Sequence, residues 1–224
     1  MRFIVIEGLD GSGKSTQIKL LSNYLERRDY LYKYLHFPRT ESPVYGELIA
    51  RFLRGDFGKL EAVHPYLVAL IYAGDRNDAK ELINGWLRDD HYVIADRYVN
   101  SNIAFQCAKL GNKREREELK NWILHLEYDY HKIPQPDISL FLDVPFNFTE
   151  KKLTVKRTGD DRRYLNGQMD IHEQSLEFQK RVRDMYLEIT QSDPKFIRID
   201  CNNGADGILP QEEIFERIID QLKI

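Results

Sequence analysis

Cysteine is scarce in this chain: Cys107 and Cys201 lie far apart, and neither belongs to a C-x-x-C. That spacing argues against a disulfide framework or paired-thiol site and predicts two reduced thiols. No apolar run reaches the ~18 residues of a membrane span, and Met1 leads into a strand-like segment without a signal-type n-region. A cytoplasmic protein with no membrane partner is therefore expected. The six histidines show no ligand spacing; His172-Glu173 begins like H-E-x-x-H, but Leu176 stands where the second histidine would be. No protein-bound zinc is expected. Charge of one sign is lacking too. At a net charge of −3, no global field recruits nucleic acid, and an anionic ligand must meet locally clustered Arg and Lys.

The chain has 224 residues, 42% of them hydrophobic, enough for one core. No repeat, low-complexity tract or linker divides it, so residues 1–224 are expected to form a single domain. Apolar runs bounded by turn residues predict strands over Arg2–Glu7, Tyr30–Phe37, Tyr92–Ala95, Ile138–Leu142 and Phe196–Ile199. Helical spacing predicts helices between them, among them Lys14–Arg28, a long one over Pro65–Leu87, Ile171–Thr190 and Gln211–Leu222. Strands alternating with helices imply a parallel sheet covered on both faces, with ligands at the C-terminal strand ends. Gly8, Pro38 and Asp96 all fall at such ends.

The first of these ends carries the strongest motif. Gly8-Leu9-Asp10-Gly11-Ser12-Gly13-Lys14-Ser15 satisfies G-x-x-x-x-G-K-[ST] between an apolar strand and a helix. Its glycines let consecutive N–H groups face phosphate oxygens, Lys14 reaches the terminal phosphates, and the Ser15 hydroxyl suits Mg²⁺. A nucleoside triphosphate is expected here. Asp10, an acid inside an anion-binding loop, calls for a separate explanation.

Asp96-Arg97-Tyr98 closes the third strand, where Asp96 could hold Mg²⁺ through water and Arg97 could clamp phosphate. Helix capping is the alternative for Asp96. Pro38 ends the second strand and leaves Arg39 at the ligand edge, either as a phosphate contact or as an exposed turn residue. Tyr72 and Arg76 project from one helix face, as a base plate with a guanidinium or as core aromatic with surface cation. Gly74 between them suggests a close approach by another element. Arg157, Arg162 and Arg163 could close over a transferring phosphate or form a solvated charged loop balanced by Asp160 and Asp161.

In this order, FIVIEGLDGSGKST, HFPRT, LIYAGDRND, VIADRYVNSNIAFQ and RTGDDRRYLNG resemble the thymidylate kinase family of P-loop enzymes, over essentially the whole chain. The resemblance implies a three-layer αβα P-loop NTPase fold, a five-stranded parallel sheet and a mobile lid at about 157–167. It implies phosphorylation of thymidine 5′-monophosphate with ATP and Mg²⁺, and self-association as a homodimer. By the same likeness, Gly8 to Thr16 cradle ATP, including Gly11, Ser12 and Gly13. Asp10 faces the acceptor sugar and phosphate, and Arg39 and Arg97 clamp the acceptor phosphate. Tyr72 stacks the base, Arg76 bonds a thymine carbonyl, Ser101 and Asn102 approach the base edge, Phe105 packs on the deoxyribose, and Tyr164 closes from the lid.

Two departures bear on that expectation. The stacking aromatic is tyrosine where phenylalanine is common in the family. The loop also has no basic residue after Asp10, so the catalytic cation is expected from Arg157, Arg162 or Arg163. Another nucleotide kinase is the rival among enzymes. A GTP-binding switch is the rival outside them, but its [NT]-K-x-D is missing and the only D-x-x-G lies inside the phosphate loop.

Overall fold

The first strand, β1 (Phe3–Glu7), is buried along its whole length. Its side chains alternate between two separate cores: Phe3 and Val5 enter one, Ile4 and Ile6 the other. Such a strand needs helices on both sides. The structure, a computed structural model, describes residues 2–154, 160–168, 170–173, 175–204 and 207–224. Four further strands, β2 (Tyr32–His36), β3 (Tyr92–Asp96), β4 (Ile138–Asp143) and β5 (Phe196–Asp200), complete a parallel sheet in the order β2-β3-β1-β4-β5.

One face is covered by α1 (Lys14–Glu26) and α9 (Gln211–Leu222), through Ile18, Leu21, Leu25, Ile214, Ile218 and Leu222. The other core is larger. It takes Phe52 and Leu53 from α2 (Tyr45–Arg54), Val68 from α3 (Pro65–Asp78), Ile83 from α4 (Lys80–Arg88) and Ile103 from α5 (Val99–Cys107). Ile123 of α6 (Lys113–Leu124) and Val182 of α8 (Leu176–Ser192) complete it, and α7 (Phe146–Thr154) follows β4. The strand order reverses around β1, so the loop after β1 opens into the crevice where such sheets bind ligands. Register brings Ile6 opposite Asp96 and Asp96 opposite His36, aligning three strand ends on that edge.

Two expected helices differ. The span from Pro65 to Leu87 is two helices, because the Ala79 N–H is shared between the Asp75 and Arg76 carbonyls and the turn tightens there. The apolar spacing runs through the break, since both halves bury residues in the same core. The helix expected from Ile171 begins at Leu176, where the Ser175 hydroxyl accepts from the Phe178 N–H as an N-cap. Ile171 and His172 are instead buried in a turn preceding it. Gly74 has the close neighbour expected of it: the Tyr45 ring of α2 occupies the space a Cβ would need.

Candidate active site

The phosphate loop leaves β1 at Gly8 and enters α1 through Gly13, whose φ of 87° is open to glycine at little cost. Lys14 Nζ donates to the carbonyls of Gly8 (3.2 Å) and Leu9 (3.0 Å), folding the lysine back over the loop. Burial, then repulsion from Arg97, lowers its pKa to about 8 against the pull of Asp96, Asp10 and Glu7. Ser12 Oγ is buried without a partner, while Ser15 and Thr16 are exposed at the start of α1.

At the end of β3, Asp96 is buried and its Oδ2 lies 3.2 Å from His36 Nδ1. Burial pushes its pKa up, but the His36 hydrogen bond and the Lys14 charge outweigh that and hold it below the usual value. Its Oδ1 is buried and without a partner. Helix capping is not its role: the N-terminal turn of α5 is held by Glu7, whose Oε1 accepts from the N–H groups of Tyr98 (2.9 Å) and Ser101 (3.1 Å).

Arg97 adopts a left-handed φ of 67°, strained by roughly 1–3 kcal/mol for a side-chain-bearing residue. That turn swings its guanidinium back over the sheet edge. Nη2 donates to Asp10 Oδ1 at 2.9 Å, and Nη1 donates to Ser101 Oγ (3.2 Å) and Tyr186 Oη (3.3 Å). The charge also lies 5.1 Å above the Phe105 ring. Asp10 therefore makes its ion pair across the site with Arg97.

A second cluster of expected site residues is built on α3 and α5. Tyr72 is half-buried against the larger core. Arg76, one helical turn on, is buried and paired with Glu127: Nε to Oε2 at 2.5 Å and Nη2 to Oε1 at 2.7 Å. Asn102 Nδ2 donates to the same Oε1 (3.1 Å) and to the Ala69 carbonyl (3.0 Å), leaving Asn102 Oδ1 buried without a partner. Phe105 packs on His172 (ring centroids 4.9 Å apart), and the Tyr164 hydroxyl donates to Asp170 Oδ2 at 3.1 Å. Burial and then repulsion from Asp10 raise the Asp170 carboxyl to about 7.

The family model for thymidylate kinase matches residues 6–209. The chain belongs to the thymidylate kinase family. It is 32% identical to the thymidylate kinase of Kosmotoga olearia over 218 residues, 97% of this chain and 93% of that protein. To the thymidylate kinase of Mycobacterium tuberculosis it is 31% identical over 186 residues, 83% and 84% of the two chains. The solved thymidylate kinase structure from Candida albicans superimposes with a TM-score of 0.70 at 28% identity, covering 99% of this chain and 92% of that one.

Within this thymidylate kinase fold the expected residues divide into groups. Lys14, Asp96, Arg97 and Asp10 converge, and Phe105 lies under Arg97. Arg39 is turned elsewhere: its guanidinium donates to Asp75 (2.9 Å to both Oδ1 and O) and to Asp78 Oδ2 (2.5 Å) on α3. Ser101 was expected at the base edge, but its hydroxyl lies beneath Arg97 and bonds Glu7 Oε2 at 2.5 Å. The difference arises because the Glu7 carboxylate already binds the Ser101 N–H, drawing the side chain the same way. Arg157 lies outside the described residues, Arg162 falls in the short turn Asp160–Leu165, and Arg163 is exposed beside Tyr164.

Glu7, Glu127, Asp170 and Tyr186 were not anticipated. Glu7 left one signal, an acid ending an otherwise apolar strand. The others sit among ordinary helix or loop residues and acquire meaning only from distant partners.

Proposed function

We propose that the protein transfers the terminal phosphoryl group of ATP to thymidine 5′-monophosphate, giving dTDP and ADP on the route to dTTP. The observation that carries this reading is the 2.9 Å contact between Arg97 Nη2 and Asp10 Oδ1. A cation at the end of β3 meets the loop that receives the donor, so donor and acceptor phosphate sites adjoin. Both phosphates are anionic, and the protein's work is to position and neutralise them. Lys14 serves the donor phosphates held by Gly8, Asp10, Gly11, Ser12, Gly13, Ser15 and Thr16 through the loop backbone and side chains. Arg97 serves the acceptor phosphate, joined by Arg39 once it leaves α3.

Mg²⁺ would be held by Ser15 and, through water, by Asp96, whose unpartnered Oδ1 fits a hard cation. When bound, the ion neutralises charge on the donor phosphates. Arg163 shares a cavity of about 450 Å³ with Thr40, Glu41, Arg54 and Tyr164, which suits it, like Arg157 or Arg162, to a role as the closing cation. The stretch 157–167 would then act as the lid of a single domain.

Thymine presents a donor at N3 between two carbonyls. Asn102 Oδ1 is the matching acceptor, because the Nδ2 of that amide is already committed. Arg76 Nη1, the guanidinium nitrogen not bound to Glu127, matches a carbonyl. Tyr72 and Tyr164 would enclose the base and Phe105 the sugar. Cytosine has no proton at N3 and would leave the amide oxygen unpaired, so discrimination of about 10⁴-fold in kcat/KM is expected. Each monophosphate offered with Mg-ATP, with ADP release followed, tests this. Thymidylate should lead, and preference for dCMP, AMP or GMP would overturn the reading.

The protein is further inferred to act as a homodimer in the cytoplasm, where its nucleotide substrates are found. Leu67 and Leu70 project from α3 while 58% and 44% exposed, an apolar pair that a second copy would cover. No described helix is long and apolar enough to cross a membrane.

A further inference from the structure

We propose that Glu7, Ser101 and Tyr186 form a buried frame that fixes the direction of Arg97, making all three positioning residues for phosphoryl transfer. The inference rests on the reading of Arg97 given above and goes beyond it to groups that touch no substrate. Glu7 is fully buried, as is Tyr186, whose ring stacks on Phe141 with centroids 4.8 Å apart. Glu7 Oε1 accepts the two backbone N–H groups at the start of α5. Glu7 Oε2 accepts from Ser101 Oγ (2.5 Å) and Tyr186 Oη (3.1 Å), and those two oxygens lie 2.7 Å apart.

Counting hydrogens gives the frame a direction. Arg97 Nη1 carries two, and Ser101 Oγ and Tyr186 Oη each lie in reach of one. With the guanidinium donating to both oxygens, the two hydroxyl protons turn the other way: that of Ser101 goes to Glu7 Oε2, and that of Tyr186 is shared between Glu7 Oε2 and Ser101 Oγ. The carboxylate thus holds the arginine through two hydroxyls, an ion pair at one remove among buried side chains. Nη1 is thereby committed inward. Nη2 and Nε are left for Asp10 and the acceptor phosphate, so the frame decides which edge of the fork meets substrate.

The competing role for Glu7 is to cap α5, and a cap needs only Oε1. Tyr186→Phe separates the two, since it keeps the ring stack and both Oε1 bonds while removing one acceptor from Nη1. Its melting temperature should stay within a few degrees of wild type. Its kcat with thymidylate should fall about tenfold or more, with KM for ATP unchanged, as expected for losing one hydrogen bond to a charged group. In an Arg97→Lys background the same change should alter kcat by less than about twofold, because the frame acts only through the guanidinium fork. Ser101→Ala should behave alike. An undiminished kcat in either single variant, or equal fractional losses in the two backgrounds, overturns the frame. An Arg97→Lys enzyme as active as wild type would instead overturn the role of Arg97 in phosphoryl transfer.

Discussion

Asp170 occupies the wall between Tyr164 and the turn leading to α8. Its Oδ1 accepts the His172 N–H at 2.8 Å and its Oδ2 the Tyr164 hydroxyl. Asp10 and Glu173 add repulsion to the effect of burial, and its pKa rises from 3.8 to about 7. A raised pKa means the folded state binds this proton more tightly than the unfolded chain. The penalty for ionising it is absent below about pH 4, grows as the pH rises, and is complete above about 7. Asp170→Asn keeps an acceptor for the His172 N–H and removes the penalty. Thermal melts at about pH 5 and pH 8 should show the variant gaining on wild type by several degrees at the higher pH. An equal gap at both would refute this. Nothing local marks Asp170, whose neighbours Gln168 and Glu173 are also polar. The residues of the proposed phosphate loop, by contrast, stand out locally, because backbone cradling demands glycine, lysine and serine at set positions.

Between elements, the buried pair Arg76–Glu127 ties α3 to the wide turn His125–Tyr130 that extends α6. The side chains are 2% and 0% exposed, so each charge depends on the other for solvation. Glu127→Ala should cost about 3–5 kcal/mol, because it strands a guanidinium in the core. Urea unfolding measures this, and a loss under about 1 kcal/mol would refute the account. The variant should also lose acceptor affinity, since Asn102 shares the same carboxylate oxygen. Element type was largely legible from apolar periodicity. Boundaries were not: the break at Ala79 leaves the periodicity intact, and Ile171 is apolar because it packs on Gly55 and the larger core, not because it opens a helix.

At the scale of the molecule, the sheet order places β1 centrally and exposes α3 at the periphery of the larger core. Two leucines three residues apart, both exposed, are the surface on which the proposed dimer depends. Replacing Leu67 and Leu70 together by Glu should leave the melting temperature near that of wild type and shift the sedimenting species from two chains to one. A wild-type protein that sediments as a single chain at micromolar concentration would remove the proposal. Alternation of strands and helices sufficed to foresee a parallel sheet, because crossover connections permit little else. It did not foresee that, among the described residues, α1 and α9 cover one face while α2, α3, α4, α5, α6 and α8 contribute to the other core.

What the sequence determined by itself is what contiguous residues enforce: the phosphate loop, the polar residues at strand ends and the apolar rhythm of a covered sheet. Those features follow from backbone geometry and short-range spacing. Only the tertiary structure decided which partner each buried charge receives. Arg97 meets Asp10 87 positions away, Arg76 meets Glu127 across 51, and Glu7 meets Tyr186 across 179. A desolvated charge must be answered by whatever group packing brings beside it, and no local pattern names that group.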